Sequence, residues 1–457
     1  MISVRPASVA ASSKWTNLLL ITTGCAALIL YQISLRAHLG SAILWFLKIV
    51  LVQCVLYVLV AWLILRASGA RSTLLIVIVF GVLFRLSILF SPPYLSDDIY
   101  RYIWDGRVQA AAINPYRFIP ADPALAHLRD EQIYPRINRK DFARTIYPPV
   151  AEAVFFLTTR LSESVTWMKA TMVIFEGIAL WALAQLLASF GLPRQRILLY
   201  AWHPLVIWEF AGSGHADAIA IAFIALAMLA RRRSYEIGTG TALAAATLGK
   251  VFPFALFPAL YKRWTWKMPL AFVIVNIVGY LPYLSVGPAR ALVFLFGDAP
   301  ERGIEGGEQF FLLTVIRRLP LAAHFPTAAF VIIAILICGA LSLWMIARRN
   351  EHYIANGLII ASVFVVLVSP HFPWYFAWLV PFLCVAAEPA VIYLTLGSFL
   401  MYLTWLGDAP NQVIKMKAGI YVPTLVIFGL TVWLRRKKIL STDYADLADR
   451  KTPAIET

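Results

Sequence analysis

The sequence predicts an all-α membrane protein, a polytopic bundle of about 11 to 13 transmembrane helices with a long extracytoplasmic first loop. Hydrophobic residues make up 61% of the 457 residues and charged residues only 14%, whereas a soluble domain is roughly 25% charged. Apolar stretches such as 42–65, 73–90 and 326–347 are long enough to cross a hydrocarbon core of roughly 30 Å, which requires about 20 residues. The polar, charged segment 92–148 interrupts this pattern and is predicted to carry short amphipathic helices.

The positions of Lys and Arg predict how the chain crosses the membrane. Clusters such as 231–233 are expected on the cytoplasmic side. This placement makes 237–261 leave and return on one face, as a re-entrant pair broken near Gly249-Lys250. Segment 149–159 then either dips in from outside without crossing, or one neighbouring span is miscounted. Irregular backbone at membrane depth persists only where it is buried or lines a cavity, so both segments predict a functional cavity. The candidate spans are 17–35, 42–65, 72–91, 165–190, 197–212, 215–230, 268–286, 326–347, 353–369, 374–387, 390–406 and 418–434.

The net charge of +16 first reflects this topology, although the excess of basic residues also extends into the loop 92–148. No soluble basic domain is present that could bind nucleic acid, so a nucleic-acid partner is not expected. The whole of 1–440 is predicted to form one membrane domain, followed by a cytoplasmic tail at 441–457. The four cysteines lie in apolar segments without CxxC spacing and are expected to be buried thiols rather than metal ligands.

The segment after the third span, YLSDDIYRYIWDGR, carries the densest mixture of acidic, basic and aromatic residues. Ser96 is expected to cap a helix whose first turn contains Asp97 and Asp98, where the helix dipole favours negative charge. Asp97, Arg101 and Asp105 then share one helix face. This pattern is typical of an amphipathic surface helix with ion pairs. It is also typical of a catalytic helix, because a partly desolvated carboxylate can act as a general base and arginines bind phosphate.

Ionisable residues also occur within the predicted spans, where they are costly and usually face a cavity or a partner. Glu209, His215 and Asp217 flank a GSG break and form either a structural cluster or part of a substrate site. Lys250 lies at the re-entrant break, where an unpaired ammonium would be expensive. Its expected partner is either a phosphate or a carboxylate in a salt bridge, namely that of Glu176 or Glu209.

An aromatic segment near the end of a later span supplies the last candidates, His371, Trp374 and Tyr375. They form either an interfacial aromatic anchor or a surface that binds a sugar. No cofactor motif is present, since the phosphate-binding loop, the HExxH and GxSxG motifs and the Rossmann fingerprint are all missing. No spacing demands a metal ion, although a divalent ion at Asp97 and Asp98 stays an open alternative.

Five motifs together resemble the GT-C superfamily of polytopic glycosyltransferases, and more narrowly the bacterial polyprenol-phosphate-mannose-dependent mannosyltransferases. The motifs cover most of residues 90–385 in the order that this family uses. They are SDDIYRYIWDGRVQAAAINPYRF, IYPPVAEAVF, HPLVIWEFAGSGHADA at 203–218, LGKVFPFALFP at 248–258 and SPHFPWYFAWLVP at 369–381.

The resemblance implies an enzyme of the plasma membrane with an extracytoplasmic active site. It would transfer a hexose, expected to be mannose, from a polyprenyl-phosphate donor to a hydroxyl of a glycan or glycolipid, with inversion and with Asp97 or Asp98 as the base. The remaining alternatives are another lipid-linked sugar, or a secondary transporter or lipid flippase. The residues expected to bind the donor phosphate or the substrate are Arg101, Arg107, His215, Asp217, Lys250, His371, Trp374 and Tyr375.

Overall fold

The computed structural model describes residues 13–36, 43–287, 306–348, 351–407 and 410–449, and no β-strand occurs in these ranges. The predicted all-α fold class is therefore confirmed. In chain order the α-helices are α1 (Ser13–Arg36), α2 (Ile43–Arg66), α3 (Arg71–Leu89), α4 (Asp98–Ala110), α5 (Pro149–Leu161), α6 (Val165–Ser189), α7 (Leu198–Ala201), α8 (Pro204–Val206), α9 (Asp217–Arg232), α10 (Glu236–Gly249), α11 (Phe257–Leu260), α12 (Lys267–Tyr280), α13 (Phe311–Ile316), α14 (Thr327–Ala347), α15 (Tyr353–Val368), α16 (Val380–Leu383), α17 (Pro389–Gly397) and α18 (Pro410–Asp449).

Tighter and wider helical turns connect these helices. The 3₁₀ segments are Pro123–Leu128, Tyr134–Arg136, Arg194–Ile197, Phe252–Leu256, Leu281–Val286, Pro320–Ala322, Pro373–Leu379 and Ser398–Leu406. A π-helix spans Ile207–Gly212, directly before the GSG break. Helix α18 extends into the predicted tail as far as Asp449, and 450–457 lie outside the described residues.

Eight helices in the described ranges are long and apolar enough to cross a membrane. They are Lys14–Arg36, Ile43–Arg66, Arg71–Leu89, Val165–Ser189, Lys267–Val286, Thr327–Ala347, Pro389–Leu406 and Gln412–Lys437. Their outer faces expose large apolar side chains, as at Ile335 and Leu336 of α14, each 63% exposed. Such a surface suits contact with lipid tails.

The other predicted spans form shorter helices at the centre of the bundle. Segment 197–212 is divided by Pro204 and by the π-helix, and Pro381 interrupts 374–387. Helix α9 is 16 residues long and its side chains are almost all buried by protein. These segments therefore contact neighbouring helices more than lipid.

The two irregular segments that the sequence singled out are short helices. Helix α5 has 13 residues, about 20 Å in length, which is less than a hydrocarbon core of roughly 30 Å. Helix α10 ends at Gly249, Lys250 is extended, and a 3₁₀ turn begins at Phe252. The predicted break at Gly249-Lys250 is thus present, and proline at 253 prevents the helix from continuing.

A buried ion pair joins the helices beneath the long loop. Arg85 of α3 donates from Nη2 and Nε to the carboxylate of Glu176 in α6, at 2.6 and 3.1 Å. Its Nη1 donates to the carbonyl oxygens of Gly81 and Ala201. Glu176 is therefore a structural carboxylate, because its charge is neutralised inside the bundle.

Helix α4 is anchored to the protein by its apolar face rather than resting on a membrane surface. Ile99, Ile103 and Trp104 are all buried. Gly106 permits close contact with α5, because a Cβ there would lie 2.5 Å from Thr159 Oγ1 and 2.6 Å from the carbonyl oxygen of Phe155. This packing fixes the helix that begins at the acidic pair.

We expect Gly106→Ala to lower the free energy of unfolding by about 1–3 kcal/mol, since overpacked contacts force the helices apart. The matched control is Gly177→Ala in α6, where a Cβ would meet nothing within 4 Å, so stability should stay equal or rise by up to about 1 kcal/mol. Denaturant unfolding in detergent micelles measures both. Equal losses in the two variants would contradict the close packing of α4 on α5.

Candidate active site

A cavity of about 410 Å³ opens at the start of α4. The long loop, the break after α10 and the aromatic segment 372–375 all contribute to its wall. Six of the predicted site residues line it, namely Asp97, Asp98, Arg101, Lys250, Trp374 and Tyr375. Segments distant in sequence therefore meet here.

The acidic pair lies at the entrance to this cavity and shares one amide. The expected cap is corrected: Asp97, not Ser96, occupies the N-cap position, and Asp98 is the first helical residue. Ser96 Oγ instead accepts from the Asp98 backbone N–H at 3.2 Å. Asn138 Nδ2 donates to Asp97 Oδ1 at 2.8 Å and to Asp98 Oδ1 at 2.7 Å. Sequence reasoning missed Asn138, since no pattern links it to residues 40 positions away.

Arg101 presents a cation to the same cavity. Its Nε donates to both carboxylate oxygens of Asp105, at 2.9 and 3.1 Å, as the predicted helical spacing requires. Its Nη1 donates to the carbonyl oxygen of Ala143. No hydrogen bond is made by Nη2 within the described ranges, so part of the guanidinium is available to an anion in the cavity.

A second buried carboxyl lies behind Arg101. Glu152 accepts from Thr145 Oγ1 at 2.7 Å and from Gln109 Nε2 at 2.8 Å. Burial, together with the nearby charge of Asp105, raises the pKa of Glu152 well above its ordinary value. This shift favours the neutral form of Glu152, and the carboxylate that pairs with Arg101 is that of Asp105.

The structure does not bring Arg107 to the cavity. Its Nη2 donates to Asp130 Oδ2 at 2.7 Å and to Glu163 Oε2 at 2.8 Å, and its Nη1 donates to the carbonyl oxygen of Leu128. Partial burial alone would raise the pKa of Asp130, but the hydrogen bonds from Arg107 and from the backbone lower it to about 2. Arg107 thus connects α4 to Asp130 of the long loop and to Glu163 in the turn between α5 and α6, and we do not assign it to the donor phosphate.

Lys250 pairs with Asp217, a residue that the sequence predicts to bind the substrate. Its Nζ lies 3.1 Å from Asp217 Oδ2 and 5.0 Å from the ring centre of Tyr375. The expected salt bridge to Glu176 or Glu209 was wrong, because Glu176 pairs with Arg85 and Glu209 accepts from Tyr402. Lys250 and Asp217 come from neighbouring helices, α10 and α9, that only the fold brings together.

His215 lies just behind the cavity wall and faces two carboxyls. The φ of +79° at Gly214 turns the chain between the π-helix and α9. His215 Nδ1 then lies 3.8 Å from Asp98 Oδ2, and its Nε2 lies 3.4 Å from Glu209 Oε2. The other oxygen of Glu209 accepts from the Tyr402 hydroxyl at 2.7 Å.

The aromatic segment is a stack of rings. Trp374 stacks on His215 at 4.0 Å and on Phe372 at 4.4 Å, with interplanar angles of 24° and 5°. These neighbours occupy the faces of the indole, so Trp374 supports the stack rather than forming an open surface for a sugar. Phe372 is 36% exposed and lines the cavity. His371 is held elsewhere, with its Nδ1 3.4 Å from Lys417 Nζ.

The cavity wall combines opposite charges with apolar surface. Asp97 and Asp98 face Arg101 and Lys250, and the loop adds further arginines at 139 and 144. In the part of the chain that the structure describes, no group of three or more His, Cys, Asp and Glu side chains could hold a metal ion. The arrangement suits a reaction in which a carboxylate removes a proton while cations bind an anionic group.

Eight possible membrane-spanning helices in the described ranges, together with this cavity, define a polytopic membrane protein with a candidate active site. The chain belongs to the family described as alpha-(1->6)-mannopyranosyltransferase, N-terminal domain (MptA/B), whose model matches residues 17–266. This is a GT-C mannosyltransferase family, so the resemblance drawn from the sequence motifs is confirmed. No individual curated protein matches the chain.

We expect Asn138→Ala to lower the turnover of mannosyl transfer about 10- to 100-fold, because a hydrogen bond to a charged group is worth about 1.5–3 kcal/mol. The matched control is Asn276→Ala, since Asn276 donates only to a carbonyl within α12. Steady-state transfer assays on purified protein measure both variants. Full activity of Asn138→Ala would show that the amide does not organise the acidic pair.

Proposed function

We propose that this membrane mannosyltransferase takes mannose from a polyprenyl-phosphate donor and transfers it, with inversion, to a hydroxyl of an extracytoplasmic glycan or glycolipid. The observation that carries the proposal is the shared cavity, in which Asp97 and Asp98 face Arg101 and Lys250. The carboxylates match a hydroxyl acceptor, and the cations match the donor phosphate. The family match favours this function over the transporter or flippase alternative.

In the proposed reaction, Asp97 or Asp98 takes the proton of the acceptor hydroxyl while the acceptor oxygen forms a bond to C1 of the sugar. The bond between C1 and the phosphate oxygen breaks on the opposite side, and the phosphate leaves with the electron pair. Arg101 and Lys250 stabilise the negative charge on that phosphate. Because Asp105 and Asp217 already hold these cations in place, little reorganisation is needed during the reaction.

The cavity wall also offers apolar contact for a lipid-linked substrate. Tyr94 and Trp405 line the cavity, their ring centres lie 5.7 Å apart, and Trp405 is 50% exposed. Aromatic rings at such a position are typical of a membrane interface. A donor whose phosphate lies at Arg101 could therefore keep its polyprenyl tail in the bilayer.

The direction of α9 and α10 supports an extracytoplasmic cavity. Helix α9 begins at Asp217 beside the cavity and ends at Arg232, and α10 returns to Lys250. The basic cluster 231–233 thus lies at the opposite end of a helix of 16 residues, about 24 Å away. Because such clusters remain in the cytoplasm, we propose that the active site lies on the extracytoplasmic side of the plasma membrane.

Purified protein incubated with a panel of polyprenyl-phosphate sugars should transfer mannose in preference to glucose or aminoarabinose.

Replacing the base by Asp97→Asn or Asp98→Asn should lower the turnover about 10²- to 10⁴-fold in one of the two variants, the range for general base catalysis. Asp122→Asn is the matched control, because Asp122 caps a 3₁₀ turn in the same loop. Full activity in both Asp97→Asn and Asp98→Asn would rule out an aspartate base in this pair.

Lys250→Ala should weaken donor binding about 10- to 100-fold, as expected for losing an ionic contact of about 1.5–3 kcal/mol. Lys140→Ala is the matched control, because Lys140 does not line the cavity and its Nζ donates to the carbonyl oxygen of Pro135 and lies 5.2 Å from the ring centre of Tyr134. The dissociation constant of the polyprenyl-phosphate donor is the measurement. An unchanged constant, with lowered thermal stability, would show that Lys250 serves only its ion pair with Asp217.

A further inference from the structure

His215 is a buried imidazole that the proposed reaction has not yet used. Its side chain is 1% exposed, and neither ring nitrogen makes a hydrogen bond of good geometry within the described ranges. Each nitrogen nevertheless faces a carboxyl, Asp98 at 3.8 Å and Glu209 at 3.4 Å. Buried polar groups in native proteins are nearly always paired, so this placement requires an explanation.

We propose that His215 is the positioning residue that makes Asp98, rather than Asp97, the catalytic base. The inference rests on the proposed function and deepens it. In this arrangement the Nδ1–H of His215 is directed at Asp98 Oδ2, 3.8 Å away, and the proton of a neutral Glu209 carboxyl is directed at His215 Nε2, 3.4 Å away. The Tyr402 hydroxyl donates to the other oxygen of Glu209 at 2.7 Å. The donors in this series of polar groups, Tyr402, Glu209 and His215, then all point toward Asp98.

Because these donors all point toward Asp98, its carboxylate is suited to accept one proton. Asn138 donates to its Oδ1 at 2.7 Å, and His215 faces its Oδ2. Both oxygens are thus oriented while lone pairs remain for the acceptor hydroxyl. When the acceptor oxygen bonds to C1 and the phosphate leaves, the hydroxyl proton passes to Asp98 and afterwards to water in the cavity. His215 itself neither gains nor loses a proton.

Asp97 lacks this support. Its Oδ1 accepts from Asn138 at 2.8 Å, but its side chain lies at the exposed rim, one residue before α4 begins. The ring that faces Asp98, by contrast, is fixed on two sides. Trp374 stacks on it at 4.0 Å, and the turn at Gly214 sets its backbone. An oriented carboxylate is the better base, because small misplacements of a catalytic group can cost about 10²-fold in rate.

The groups that face His215 come from several elements. They are Asp98 from α4, Glu209 from the π-helix, Asp217 from the start of α9 and Lys250 after α10. Asp217 and Lys250 neutralise each other in an ion pair at 3.1 Å. Among these charged groups, a hydrogen bond donated by His215 would consequently orient only Asp98.

The test compares His215→Phe, which keeps the aromatic stack, with His215→Gln, which keeps an N–H donor. With polyprenyl-phosphate mannose as donor, His215→Phe should lower kcat about 10- to 100-fold with little change in KM. His215→Gln should retain more of kcat. The control for removing a buried imidazole is His203→Phe, because His203 contacts Thr395 and Tyr57 away from the cavity. Its activity per folded molecule should be unchanged.

A double-mutant cycle separates positioning from a structural role. Asp98→Asn combined with His215→Phe should be no slower than Asp98→Asn alone, because His215 acts only through that carboxylate. Independent, additive losses would overturn the proposal, as would a rise in KM with unchanged kcat or full activity of His215→Phe. Wild-type protein that transfers no mannose from the donor would instead refute the proposed function. Active wild-type protein with a normal His215→Phe variant would refute this inference alone.

Discussion

The site depends on a close contact between the backbone at Gly214, just before α9, and the side chain of Ile99 in α4. Gly214 adopts a φ of +79°, and a Cβ at this position would lie 2.5 Å from Ile99 Cδ1. Only glycine satisfies both the left-handed backbone and this packing. The contact places the neighbours of these two residues, His215 and Asp98, beside each other. Lys169 of α6 packs against the same turn and donates to backbone carbonyls at the end of α3, so α3, α4 and α6 are joined at this turn.

A second feature concerns two cations that line the cavity, because Arg101 and Lys250 each have a carboxylate partner. Arg101 is held by Asp105, and Lys250 by Asp217. Such pairs add little stability compared with apolar packing, but removing one partner would leave an expensive unpaired charge. These ion pairs matter because they fix the positions of the two cations. In the proposed reaction, the donor phosphate would meet cations whose positions are already determined, which is the condition for electrostatic catalysis.

The sequence predicted those features that follow from local spacing. The all-α fold, the break at Gly249-Lys250 and the pairing of Arg101 with Asp105 all follow from hydropathy or from helical periodicity. Contacts between distant segments were not predictable in this way. Asn138 and the partner of Lys250 depend on how loops and helices pack, and so does the position of Arg107. Arg107 follows Arg101 by six residues and hence points to another side of α4, where two carboxylates bind it.

The proposed reaction requires one cavity to hold two dissimilar substrates, a lipid-linked donor and a hydroxyl acceptor. Arg101 lies on α4 with the carboxylates, whereas Lys250 follows α10, so the two cations of the proposed phosphate site come from different segments. In an inverting displacement, the acceptor oxygen and the leaving phosphate occupy opposite sides of C1. In the proposed reaction, the aromatic rim at Tyr94 and Trp405 faces the lipid, and the cavity wall between this rim and Lys250 surrounds the sugar. The polyprenyl tail that keeps the donor phosphate at the membrane would then also hold the sugar in front of the base.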